Sequence, residues 1–183
     1  LRCKMNIFFC SDHHFYHKNI IKFTKPDGTL IRQFSDLDHM HEHFIAQHNS
    51  VVKPNDVVYF LGDVVLERKD ASKLGILHRL NGRKHLVRGN HDELDTIYYL
   101  DYFEDVHSLV AKYGVIMSHV PIHPGSIERW NCNLHGHLHY KRVLDSSGHP
   151  DPRYINVSME QLDNYKPISL DELNKRIPKN HDK

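Results

Sequence analysis

The chain is predicted to fold as an α/β protein, a four-layer α/β/β/α sandwich of two mixed β-sheets flanked by helices. Three observations predict it. The first half of the sequence alternates short apolar runs with helical periodicity, and the second half is rich in strand-like runs. Nearly every predicted strand ends on a polar cluster, so the polar residues collect at one end of the sheets. At 183 residues the chain suits one domain over 1–183, long enough to bury a core without disulfides.

The elements follow in order. Met5–Ser11 (MNIFFCS) is a short apolar run and reads as a buried first strand. Residues 36–50 read as a helix, because Leu37, Met40, Phe44 and Val51 recur at spacings of three, four and seven. Ser35 with Asp38 resembles a capping box at its start. Val57–Leu61 is a second buried strand, Asp70–Leu80 a shorter helix, and Lys84–Arg88 a third strand. Val106–Lys112 and Val115–His119 flank Tyr113-Gly114, a hairpin turn. Asn133–His135, Tyr140–Leu144 and Tyr154–Val157 read as further strands, with a turn at Ser146-Ser147-Gly148. Ser169-x-x-Glu172 opens a final short helix.

Composition narrows the class. Hydrophobic residues make up 39% and charged residues 26%, as in a globular protein. With 24 basic and 23 acidic residues the net charge is +1, which excludes a nucleic-acid binder held by bulk charge. A nucleotide or oligonucleotide held locally remains open. Cys3, Cys10 and Cys132 form no C-x-x-C pair and are odd in number, so a reducing compartment is expected. Ile7–Cys10 is too short for a signal peptide or a membrane span. Met5 reads as a natural start, with residues 1–4 upstream of it. The expectation is a cytoplasmic protein with no membrane partner.

The polar clusters are Asp12-x-His14, Gly62-Asp63, Gly89-Asn90-His91-Asp92, His119 and Gly136-His137-Leu138-His139. Ligands at the carboxyl ends of neighbouring strands can converge on one crevice. Carboxylates with imidazoles suit divalent transition metals. Two Asp, one Asn and four His exceed what one tetrahedral site needs, whereas two ions sharing a bridging carboxylate would use them all. Each piece alone is common. Gly136-His137-Leu138-His139 does put two imidazoles on one face of an extended segment. What singles the set out is that all five occur, in order, each after a strand.

This ordered set resembles the calcineurin-like metallophosphoesterase superfamily, and within it the small stand-alone phosphoesterases of bacteria and phages. The resemblance runs from Met5 to about Leu173. It includes Ser11-Asp12-His13-His14-Phe15 with His17-Lys18-Asn19-Ile20-Ile21, Asn81-Gly82-Arg83-Lys84, Asn156-Val157-Ser158 and Tyr165-Lys166-Pro167. It implies that Asp12, His14 and His139 bind one divalent ion and that Asn90, His119 and His137 bind a second. Asp63 would bridge the two. His91 would lie by the scissile bond, held by Asp92. The implied reaction is hydrolysis of phosphate esters, with a hydroxide shared by the two ions as nucleophile and a protonated His91 helping the leaving group. Manganese is the expected ion, with iron or zinc as alternatives. The expected substrates are phosphodiesters of nucleotidyl or cyclic-nucleotide type. A phosphomonoesterase is an alternative. So is a non-catalytic scaffold, since the structural subunit of retromer resembles this fold but lacks the site.

Weaker candidates surround these residues. His17 and Asn19 could bind a phosphoryl oxygen, as the resemblance favours. Arg88 could clamp a phosphate bidentately or be a solvated strand end. His123 could line the rim, and Trp130 beside Arg129 could stack on a base or belong to the core. His39, His41 and His43 are expected to be exposed, because the His-Glu-x-x-His pattern is absent. No Gly-x-Ser-x-Gly elbow, P-loop or Gly-x-Gly-x-x-Gly occurs, so serine hydrolase, nucleotide triphosphatase and dinucleotide-binding readings have no support.

Overall fold

The structure, a computed structural model, describes residues 5–177. The expectation about residues 1–4, like Cys3, lies outside them. Two mixed sheets flanked by helices share one continuous hydrophobic core. The first sheet is built on β1 (Ile7–Cys10), β2 (Val57–Phe60), β3 (Arg83–Val87) and β4 (Asp105–His107), all parallel. Parallel strands are covered on both faces, which is why β1 and β2 read as unbroken apolar runs. The second sheet has the order β5 (Leu109–Lys112), β6 (Val115–Ser118), β7 (Asn133–His135), β8 (Tyr154–Asn156). Its β5–β6 pair is antiparallel and the rest are parallel. A two-residue strand, β9 (Ile168–Ser169), closes the first sheet antiparallel to β1.

Helix α1 (Leu37–Val51) buries Met40, His41, Phe44, Ile45 and His48, one face at helical spacing. Its cap is one residue later than expected. Asp36 accepts from the backbone N–H of His39 at 2.7 Å, while the Ser35 hydroxyl donates to Asp36. The 70–80 segment is a 3-10 helix, Ala71–Arg79, with Gly75, a weak α-helix former, at its middle. Helix α2 (Thr96–Tyr99) and β9 are too short to leave a periodic signal. Helix α3 (Leu170–Arg176) starts as expected, with Ser169 accepting from Glu172 N–H.

Two strand expectations need correction. Val106–Lys112 is not one strand but the crossing between sheets: β4 pairs with β3, and β5 pairs with β6. Alternation along a sequence does not show a change of partner. Tyr140–Leu144 is not a strand, and Leu144 makes only an isolated bridge to Pro150. The carbonyls of His139 and Lys141 accept from the Asn156 amide instead of from a neighbouring strand. The Tyr113-Gly114 hairpin turn is present, both residues having positive φ. No described helix is long and apolar enough to cross a membrane.

Candidate metal centre

The seven ligand-type residues come together where the carboxyl ends of β1, β2 and β3 meet those of β6 and β7. Ser11, just after β1, forms a parallel bridge to Ser158, just after β8, and so joins the two sheets at this edge. The backbone there is unusual. Asp12, His14, Asp63, His137 and His139 have φ of 61, 52, 53, 67 and 52°. Left-handed non-glycine residues cost on the order of 1 kcal/mol each and persist only where the surroundings hold them. Here they are held: Asp12 N–H donates to Gly62 C=O and His14 N–H to Asp63 C=O, both at 3.0 Å. His137 N–H and the Ser158 hydroxyl both donate to Asp12 Oδ2 at 2.9 Å. Packing leaves no space for a side chain at two neighbouring glycines. A Cβ at Gly89 would fall 2.2 Å from Asp63 Oδ1, and one at Gly136 would fall 2.1 Å from Ser11 Oγ.

The donor atoms form two groups, each with all members within 4.8 Å: Asp12, His14 and His139, then Asp63, His119 and His137. In the first, His14 Nε2 and His139 Nε2 lie 3.6 and 4.0 Å from Asp12 Oδ1. In the second, Asn90 Oδ1 is 2.9 Å from both His119 Nε2 and His137 Nδ1. Asp63 Oδ2 joins the groups, at 3.6 Å from His14 Nε2 and 3.3 Å from His119 Nε2. Ligands bound at about 2.0–2.2 Å to one ion stand about 3–3.5 Å from each other. Asp12 Oδ1 and both ring nitrogens of His14 are buried without a hydrogen-bond partner, a costly arrangement in a protein core unless another group binds there. Donor chemistry, spacing and these orphaned atoms together fit a pair of cations.

The surroundings aim the imidazoles. His119 Nδ1 pairs with the Leu61 carbonyl at 2.7 Å, and His139 Nδ1 with Glu160 Oε1 at 3.0 Å, so each presents Nε2 inward. Burial would raise the Asp12 and Asp63 pKa values, but the imidazoles of His14 and His119 close beside them hold both below the ordinary carboxylate value. Burial would lower His119, yet the hydrogen bond to Asp63 and the charges of Asp12 and Asp63 lift it to about 9. The two carboxylates are therefore ionised at neutral pH, and a bound divalent cation would displace the proton that His119 holds in its absence.

Sequence reasoning missed Arg32 and Glu160. Arg32 is fully buried; Nη1 donates to His13 C=O at 2.7 Å, Nη2 to Asp12 C=O, and Nε to Glu160 Oε1 at 2.8 Å. Burial alone would raise the Glu160 pKa, but Arg32 and His139 hold it at about 2. No local pattern marks either residue, because their partners lie some twenty residues away or more, and they are 128 residues from each other. A third group, Cys10, His13 and His48, also brings donor atoms within 4.8 Å, wholly buried. Its rings pack among Phe15, Phe44 and Phe60, and burial pushes both imidazole pKa values down, His48 to about 4. This group is an uncharged part of the core.

The remaining expectations fare unevenly. His91 lies at the edge of the centre, its ring 5.6 Å from that of His14 and its backbone N–H donating to Asp63 Oδ1 at 2.8 Å. Asp92 does not hold the His91 ring. Its carboxylate accepts from the backbone N–H groups of Gly89, Asp63 and Val64 at 2.8–3.0 Å, so it locks the turn after β2 to the turn after β3. The His91 Nδ1 is left without a partner. His17 lies beside the centre, 5.5 Å ring to ring from His14, with burial lowering its pKa to about 4.

Asn19 is exposed and its side chain makes no capping bond. Arg88 is half-buried and not a free clamp: it donates to Asp92 C=O, Leu94 C=O and the Thr96 hydroxyl and lies over Tyr99. His123 caps a turn through Gly125 N–H. Trp130 is half-buried and not part of the core cluster. His39 is exposed and His43 half-buried, but His41 is buried and accepts from Tyr16 N–H at 3.0 Å.

No family model matches the chain. It is 35% identical over 176 residues to the uncharacterized protein MJ1445 of Methanocaldococcus jannaschii, covering 94% of this chain and 92% of that one. A solved structure, the protein of unknown function AQ665 from Aquifex aeolicus, superposes with a TM-score of 0.71 at 29% identity, covering 94% and 99% of the two chains. A predicted phosphoesterase from Streptococcus pneumoniae TIGR4 reaches a TM-score of only 0.36 at 16% identity over 86% of this chain and 73% of its own, a likeness too loose to carry an argument.

Proposed function

The chain belongs to the family of the Methanocaldococcus jannaschii protein MJ1445, and on that premise we propose that it is a metal-dependent phosphoesterase of the calcineurin-like type that hydrolyses phosphodiesters. One observation carries the reading: a single carboxylate oxygen, Asp63 Oδ2, lies within 3.6 Å of an imidazole nitrogen from each of two ligand groups. Asp12, His14 and His139 would hold one ion and Asn90, His119 and His137 the other, with Asp63 placed to serve both. A pair of divalent cations supplies an acidified water and neutralises phosphoryl charge. Manganese is our preferred ion, because mixed oxygen and nitrogen donors suit the first-row divalent metals.

The chain's own residues do the rest. Asp92 fixes the Asp63 and Gly89 turns, and Glu160, itself held by Arg32, fixes the His139 ring. The rings of His17 and His91 lie 5.5 and 5.6 Å from that of His14, within reach of a phosphate ester at the centre. Through its ring His91 delivers a proton to the departing oxygen. The open surface beside His137 and His139 admits a second ester arm, which favours diesters over monoesters. The free, buried Cys10 and Cys132 support a reducing, cytoplasmic setting.

Chelator-stripped protein is to be assayed on bis(p-nitrophenyl) phosphate and p-nitrophenyl phosphate, with manganese restored and without. Diester turnover that requires the metal and disappears in Asp63→Asn supports the proposal. A folded protein that turns over neither ester with manganese, iron or zinc overturns it in favour of a scaffold.

A further inference from the structure

A cleft of about 550 Å³ opens directly beside the ligand group, with His137 and His139 on its wall. Its volume is in the range that small-molecule sites occupy. Two chain segments face each other across it, one carrying Lys22 and Phe23, the other Tyr140 and Lys141. Both walls are fixed. The first is one arm of a small hairpin, in which Ile31 N–H donates to Phe23 C=O at 2.8 Å and Thr24 bridges Leu30. The second is held from behind, where Asn156 donates to the His139 and Lys141 carbonyls and Gln161 to the His139 carbonyl.

The lining has a definite chemistry. Phe23 is 43% exposed, though its ring meets that of His17 at 5.5 Å, so one end is anchored and the other faces the opening. Tyr140 is half-buried, and two ammonium groups stand by its ring, Lys25 Nζ at 5.7 Å and Lys141 Nζ at 5.9 Å from the centroid. No carboxylate lines the cleft. A ligand suited to it needs a flat apolar face for the rings and negative charge for the lysines. An aromatic base stacks on such side chains whatever its identity, and phosphate meets lysine as a point charge.

We propose that this cleft takes the nucleoside arm of the substrate, so that the ester cut at the adjacent centre is a nucleotidyl phosphate. The base lies against Phe23 and Tyr140, and an anionic phosphate lies near Lys22 and Lys141. The proposal rests on the phosphoesterase reading only for the placing of the scissile group; recognition of a base with a phosphate stands on the cleft itself. That unit can come as a free mononucleotide or as the terminal residue of an oligonucleotide.

Calorimetric binding of adenosine monophosphate and of ribose 5-phosphate to the manganese-loaded protein, and to Asp63→Asn, tests it without turnover. The nucleotide is expected to bind on the order of tenfold more tightly than the sugar phosphate, the scale of one stacked base. Phe23→Ala and Tyr140→Ala should each narrow that ratio and leave ribose 5-phosphate affinity unchanged. The double variant K22A/K141A should weaken the nucleotide and spare adenosine. Equal affinities for nucleotide and sugar phosphate, or an unaltered ratio in both aromatic variants, overturns the proposal. A trinucleotide that competes as well as the mononucleotide supports it with a chain end as the source; one that fails to compete supports it with the free nucleotide. A base preference without turnover of any diester would overturn the phosphoesterase reading and leave the cleft assigned. Turnover without base preference would do the reverse.

Discussion

The buried carboxylate of Asp92 accepts a hydrogen bond from the backbone N–H of Asp63 at 2.9 Å, and with its other bonds it ties the turn that carries Asp63 to the turn that carries Asn90. Asp92 therefore positions the candidate metal ligands and not the His91 ring. Asp92→Asn leaves one acceptor oxygen for three donors and sets an NH2 group against an amide. It should destabilise the fold by about 1–3 kcal/mol and weaken both ions. Thermal unfolding and manganese titration check this. A loss confined to turnover of poor leaving groups, with stability and metal affinity unchanged, would contradict it.

Glu160→Gln should act on one ion only. The amide cannot match the charge-assisted pairing to His139 Nδ1, and Arg32 loses its carboxylate partner at Nε. Losses of about 10–100-fold in affinity are usual when such an orienting group is changed. The ion on the Asp12 side should weaken by that amount while the Asn90 side is little affected. Manganese binding followed by electron paramagnetic resonance separates the two sites, and equal weakening of both would refute the assignment.

His91 offers a test of mechanism. It is not among the grouped donors, so His91→Ala should retain both ions. Its rate should fall about 10²–10⁴-fold on alkyl or nucleoside esters, whose leaving oxygen needs a proton. On nitrophenyl esters, which leave nearly unaided, the fall should be much smaller. A uniform loss across leaving groups would place the ring on a phosphoryl oxygen instead.

Acid stability should report His48. Burial lowers its pKa from 6.5 to about 4 in the fold, so between those values the unfolded chain takes up a proton that the folded chain refuses. The sign follows: stability is complete above pH 6.5 and is lost as the pH falls toward 4, by about 3 kcal/mol for the full shift. Urea unfolding at pH 7 and pH 4.5, both with chelator, should show the loss. A His48→Gln variant should show less of it.

The five polar clusters were legible because each candidate ligand follows the end of a strand, so order along the chain translates into convergence at the sheet ends. The central strands and α1 were legible for the same reason, since burial leaves a periodic trace. What escaped depends on tertiary pairing. The change of sheet between His107 and Leu109 is invisible to alternation, and the loss of a strand at Tyr140–Leu144 comes from the distant Asn156 amide. Arg32 and Glu160 sit in no motif, and the charges that make them matter meet only in the fold. Arg88 misled because a guanidinium near a cluster reads the same whether it faces solvent or caps the loop behind it.

The left-handed backbone at Asp12, His14, Asp63, His137 and His139 has an evolutionary corollary. Glycine would relieve the torsion at each position; the Asp12 and Asp63 carboxylates also hold up buried donors, but where a side chain supports little else the folded chain gains by discarding it in the absence of any demand for turnover. Laboratory lineages propagated under heat alone should therefore erode the centre before they touch the core. They should drift to glycine or asparagine first where the side chain is least enclosed, which among these five is His137.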